Sequence, residues 1–176
     1  RVPGGKGSFV KLRNAVLAGF LAAALPSSAA EPVLLLHGLW GTADSWKAYA
    51  GHLRSAGWAE GCVVEFAPSS AEPRLRPLAG AVSGGNVTGS AAWTPEAACA
   101  SAPKGGRPFF RVVFGDNDGQ SFETQGRQVA AAVAKVRGLT GAAKVALVGH
   151  SMGGLAARAY LQSPGYRNDV AAFATV

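Results

Sequence analysis

Five short apolar runs, alternating with segments of helical spacing, constrain this chain more than any other feature. "PVLLLHG" (32–38) is a continuous apolar run stopped by glycine, the profile of a strand covered on both faces. "CVVEF" (62–66), "FFRVVF" (109–114), "KVALV" (144–148) and "DVAAFATV" (169–176) repeat that profile. Strands that alternate with helices imply a mostly parallel sheet with helices on both faces, an α/β architecture. No internal repeat is evident.

The helical segments carry their own start and stop signals. In "TADSWKAYAGHLRSAGW" (42–58) Trp46, Tyr49, Ala50 and Leu53 fall at helical spacing, Thr42 or Asp44 can cap the start, and Gly57 can stop it. In "SFETQGRQVAAAVAKVRG" (121–138) Phe122, Val129, Val133 and Val136 make the apolar stripe, with Ser121 as cap and Gly138 as the expected end. "MGGLAARAYLQ" (152–162) reads as a third helix. Residues 67–108, rich in Pro, Gly, Ala and Ser, show no clear period and read as a loop or cap-like insertion. Of the two runs that flank it, 109–114 is the better main-sheet strand, because a helix follows it directly.

The formal charge of +7 is not a nucleic-acid signal. Arg1, Lys6, Lys11 and Arg13 give the first 30 residues +4, and the remainder carries +3 without a basic run. Lys11 and Arg13 precede an apolar run from Ala15 to Leu25, and then "PSSAA". A charged head, a short apolar stretch and small residues form the pattern of a secretory signal, with cleavage expected after Ala30. The run is shorter than the roughly 20 residues of a stable membrane span. The mature part is then 31–176, secreted or periplasmic. Cys62 and Cys99 suit an oxidising compartment as a disulfide worth roughly 4 kcal/mol, or else are two buried thiols. The only methionine is Met152, and the last residues stand inside an apolar run, so both ends read as cut.

Ser151 lies in Gly149-His150-Ser151-Met152-Gly153, between a strand and a helix. With 24 glycines and 13 serines, shuffling alone yields a Gly-x-Ser-x-Gly match about 0.24 times, so context must carry the argument. A strand that turns sharply into a helix forces its serine into a strained backbone that only small neighbours tolerate. The turn presents the hydroxyl at the carboxyl edge of the sheet, beside the free N–H groups of a helix start.

"GHSMGG" together with the upstream "LLLHGLWG" resembles the α/β-hydrolase fold, and within it the bacterial triacylglycerol lipase and esterase branch, over about residues 32–176. The resemblance implies Ser151 as nucleophile and the backbone N–H groups of Met152 and Leu39 as oxyanion donors. It makes Gly149, His150 and Gly153 the elbow, His37 and Gly38 the upstream motif, and an ester or lipid the substrate, with no cofactor or metal. It implies a sheet cut after the strand that follows the nucleophile helix. The order Ser, then Asp or Glu, then His places the triad's acid and base beyond residue 176. After Ser151 the sequence offers one acid, Asp169, expected in a surface turn, and no histidine.

Other features read blandly. His37 and His150 are expected as hydrogen-bonded turn residues, and His52 as a surface residue. Asp116 and Asp118 in "FGDNDGQSF" lack the later ligands of a calcium loop and mark a turn. Asn86-Val87-Thr88 fits the glycosylation pattern incidentally, and "GGKG" (4–7) precedes no strand–helix unit that could cradle phosphate. The same fold also serves acyltransferases, thioesterases and amidases, and a non-catalytic binding protein is the alternative from another class.

Overall fold

In a computed structural model, residues 31–68, 70–76, 106–116 and 118–176 are described. The expected export segment 1–30, Cys99, Asn86–Thr88 and most of the expected insertion lie outside them. The elements are β1 (Val33–Leu36), a 3₁₀ helix (Ala43–Trp46), α1 (Lys47–Ser55), β2 (Ala59–Glu60), β3 (Val63–Phe66), β4 (Pro73–Arg76), β5 (Pro108–Val113), α2 (Phe122–Thr140), β6 (Val145–Gly149), α3 (Met152–Leu161) and β7 (Val170–Thr175). Among the described residues the strands form one sheet in the order β4-β3-β5-β1-β6-β7, with β2 added to β5. Every pairing is parallel except β3 with β4.

β1 explains the layering. Its alternating side chains divide between two cores. Val33 and Leu35 join Phe109, Trp46, Ala50 and Leu53 under α1. Leu34 and Leu36 join Val112, Val129, Val133, Val136, Ala156 and Tyr160 under α2 and α3. Each fully buried leucine contributes about 1.5–3 kcal/mol, so neither face can be left uncovered. Helices on both faces of a mostly parallel sheet is the architecture the apolar runs imply.

Four details differ from the sequence reading. Both runs that flank the insertion are sheet strands: β5 lies against β1, and β3 lies outside β5. Within 67–108, Pro73–Arg76 forms β4 and pairs antiparallel with β3, joined by the Arg76–Glu65 ion pair at 2.7 Å. Tyr49 and Phe122 were assigned to apolar stripes, yet they are 40% and 47% exposed. Each stands at the margin of its helix's stripe, where packing rather than period decides burial.

Gly138 does not end its helix. α2 continues to Thr140 and stops at Gly141, whose φ of 71° supplies the left-handed cap, with its N–H bonded to the Arg137 carbonyl. A Cβ on Gly138 would meet nothing within 4 Å. Gly138→Ala is therefore expected to stabilise the fold by about 0.5–1 kcal/mol in urea or guanidinium unfolding, and a loss of stability would contradict the helix assignment.

Candidate active site

From β1 the chain leaves toward α1 on one face of the sheet, and from β6 it leaves toward α3 on the other. β1 and β6 are neighbours, so their carboxyl ends form a topological switch point, the place where open α/β sheets generally bind ligands. Ser151 stands at that switch point, solvent-exposed, with φ 51° and ψ −119°. For a serine this is a costly backbone, of order 1–3 kcal/mol, retained only when the surroundings hold it.

The surroundings are glycines. A Cβ on Gly149 would stand 2.6 Å from Gly154 Cα, and one on Gly153 would stand 2.5 Å from the carbonyl oxygens of Leu36 and His37. β6, the turn and the first turn of α3 are thus pressed against each other and against the end of β1. The ladder continues through the turn: the His150 N–H bonds Leu36 O at 3.0 Å, and Val176 N–H bonds Gly149 O at 3.0 Å. Met152 opens α3, so its N–H has no intrahelical acceptor and can serve an anion at the helix's positive end. Its side chain is buried, with the Gln125 amide donating to its sulfur at 3.3 Å.

The upstream motif lies against this elbow. Gly38 to Gly41 form a turn closed by the Gly41 N–H to Gly38 O bond at 3.0 Å, with Trp40 at φ 55°, the position a type II turn assigns to glycine. A Cβ on Gly38 would come within 2.7 Å of His150 Nδ1 and 3.2 Å of Ser151 Cβ. The structure therefore brings Gly38, Gly149, His150, Ser151 and Gly153 together, with Leu39 and Met152 adjoining. His37 is fully buried beneath them. Its Nδ1 bonds Gly38 O at 2.8 Å, its Nε2 accepts the Phe114 N–H at 3.3 Å, and its ring meets the Phe114 ring edge-on. Burial lowers its pKa below the ordinary 6.5, against a smaller opposing effect of the Gly38 bond.

Two polar anchors gave no signal in the sequence. The Trp40 indole N–H donates to Asp118 Oδ2 at 3.2 Å, tying the turn to the loop after β5, where Asp116 Oδ1 accepts the Gly119 N–H at 3.1 Å. Arg111, buried in β5, donates to the Ala43 carbonyl at 2.9 Å and pairs with Glu60 at 2.6 Å and Asp44 at 3.5 Å, while Glu60 also pairs with Arg54. The segment just after the turn is pinned from below by this network.

Asp169 is not in a surface turn, as its sequence context suggested. It is buried, accepting from the Tyr160 hydroxyl at 2.6 Å and pairing with Arg137 at 3.3 Å. Burial, and then the Asp169 carboxylate, push the Tyr160 phenol well above its ordinary pKa, so it remains a donor. The Asp169 carbonyl accepts the Val145 N–H, which puts the residue at the amino edge of the sheet. The chain takes six residue steps from Val145 at that level to Ser151, roughly 20 Å if extended throughout. Asp169 is a structural acid. Cys62 is disulfide-bonded at the amino end of β3, away from Ser151, and the chain's other cysteine, Cys99, lies outside the described residues. Among the described residues no group of three or more His, Cys, Asp or Glu could hold a metal, and no helix is long and apolar enough to cross a membrane.

Gly153→Ala must push Cβ into two backbone carbonyls, and is expected to cost about 1–3 kcal/mol in chemical unfolding; a neutral result would refute the close packing of the elbow. The lowered pKa of His37 fixes a sign for pH dependence. Below about 6.5 the unfolded chain binds a proton that the folded protein resists, so stability is complete above 6.5 and falls as the pH drops. The slope from this residue is at most about 1.4 kcal/mol per pH unit, and His37→Asn should remove it from the melting-temperature profile between pH 5 and 7.

The profile of the PGAP1-like alpha/beta domain family matches residues 27–175. Among solved structures, the product of the gene lin2722 from Listeria innocua superimposes with a TM-score of 0.55 at 20% identity, over 82% of this chain and 48% of that one. The chain thus spans about half the length of that structure, and at this identity the likeness concerns the fold. No curated protein matches the sequence. With a family match over most of its length and this sheet order, the chain belongs to the PGAP1-like alpha/beta domain family, of the α/β-hydrolase type.

Proposed function

We propose that the protein is an exported serine hydrolase of the lipase and esterase kind, cleaving carboxylic esters through an acyl-enzyme on Ser151. The observation that carries this reading is the exposed Ser151 held at φ 51° between glycines, with the Gly38–Gly41 turn packed against it. A capping turn without chemistry has no need of so costly a backbone. In the reaction, Ser151 Oγ attacks the ester carbonyl and gives its proton to a base. The Leu39 and Met152 N–H groups receive the oxyanion, the alcohol departs with the proton, and water then frees the acid.

In this reading the base and its acid follow residue 176. Of the three histidines, His37 has both ring nitrogens engaged, His52 lies on α1 across the sheet, and His150 adjoins the nucleophile inside the elbow itself. An apolar acyl group suits the surroundings. Among the described residues, the exposed large hydrophobic side chains are Leu39, Trp40, Tyr49, Phe122, Leu155 and Val176, and all but Tyr49, which lies on α1, directly follow a strand or stand in the first turn of α2 or α3, at the carboxyl edge of the sheet. The basic and apolar head before Ala30 is the export signal in this reading.

A fluorophosphonate probe is expected to label the full-length protein at Ser151. Ser151→Ala should abolish labelling and lower ester turnover by roughly 10⁵–10⁶-fold, while residues 1–176 alone turn over negligibly. Labelling that survives the substitution would sink the assignment of the nucleophile. A wild type that never labels would favour a binding protein of the same fold.

A further inference from the structure

We infer that His37 is a positioning residue: its ring, held in one tautomer, fixes the Gly38–Leu39 peptide so that the Leu39 N–H is directed at the Ser151 side of the turn. This rests on the hydrolase reading and adds to it a buried side chain that never touches substrate.

The tautomer follows from the polarity of the partners. A backbone N–H can only donate, so Nε2, which meets the Phe114 N–H at 3.3 Å, carries a lone pair. A carbonyl oxygen can only accept, so Nδ1, at 2.8 Å from Gly38 O, carries the proton. One neutral form satisfies both contacts, and the imidazolium satisfies only one. The imidazole is fully buried and meets the Phe114 ring edge-on.

The peptide plane turns that tautomer into a direction. Gly38 O accepts from two donors, His37 Nδ1–H at 2.8 Å and the Gly41 N–H at 3.0 Å. The peptide is trans, so the Leu39 N–H points opposite to that carbonyl. Away from the His37 ring the turn packs on the elbow, with a Gly38 Cβ position 3.2 Å from Ser151 Cβ. Without the Nδ1 donor, Gly38 O loses one of the two bonds described for it, in a turn that Trp40 at φ 55° already strains. Phe114 closes the chain of contacts, because it fixes the ring from the end of β5.

The test separates the two nitrogens in the full-length protein. In His37→Asn the amide stands near the Nδ1 position and can still donate to Gly38 O. In His37→Gln it stands near Nε2 and serves Phe114 instead. With a soluble nitrophenyl ester, kcat of the Asn variant is expected within about fivefold of wild type. The Gln variant is expected to lose about 10- to 100-fold in kcat with KM within about twofold, the signature of a donor that acts in the transition state. Equal losses, a larger loss in the Asn variant, failure of the Asn variant to fold, or an effect confined to KM would each overturn the inference. Long-range ¹H–¹⁵N spectra of the wild type read the tautomer directly, whether or not the Gln variant folds. The Nδ1-protonated form is expected, and the Nε2-protonated form would refute the assignment. A wild type that fails to react with fluorophosphonate removes the hydrolase reading and this inference together. A wild type that reacts, alongside variants that lose kcat equally, removes only the inference.

Discussion

Everything at the carboxyl edge depends on how closely α3 can approach β1. The two elements are separated by no side chain at Gly153, and the carbonyl oxygens of Leu36 and His37 occupy the space a Cβ would need. That approach forces the chain to reverse within two residues after β6, and the reversal puts Ser151 in a backbone region serine ordinarily avoids. Strain at one residue is held by packing at its neighbours. The same approach sets the amino end of α3 beside the turn after β1, so that the candidate nucleophile and the candidate oxyanion donors are products of a single close contact.

Buried ionic groups divide the molecule into a quiet end and a working end. At the amino edge, Arg137, Asp169 and Tyr160 satisfy each other and link α2, α3 and β7. Nearer the working end, Arg111 joins β5, the 3₁₀ helix and Glu60 of β2. Neither network is a source of much net stability, since desolvation offsets most of the Coulombic gain. Their effect is registry: each fixes which segment lies over which strand, and breaking one partner would strand an unpaired charge in the core.

The sheet and the elbow were legible because their signals are local. Continuous apolar runs mark strands covered on both sides, and glycines two residues either side of a serine mark a turn too sharp for side chains. Ser121 as a cap and Val129, Val133 and Val136 as a stripe follow from period and hydrogen-bonding chemistry alone. What was illegible is long-range. Nothing adjacent to Asp169 announces Arg137, 32 residues away, or the Tyr160 hydroxyl, so a lone acid before a strand read as a surface residue. β4 escaped because a four-residue strand containing proline and two arginines has no apolar period, and it exists by pairing with β3. The role of His37 needed Phe114, at the end of a strand 77 residues further along.

The hydrogen bonds around Ser151 also set an order of events in folding. Its neighbour His150 is bonded to β1, more than a hundred residues upstream, while Gly149 and Ser151 exchange bonds with Val176 at the end of β7. Contacts so distant along the chain form late, after the loop closures they require. The serine's backbone is therefore free to relax until β1 and β7 have both met the turn that carries it. The strained backbone at Ser151 is thus a local reporter that the sheet around it has closed.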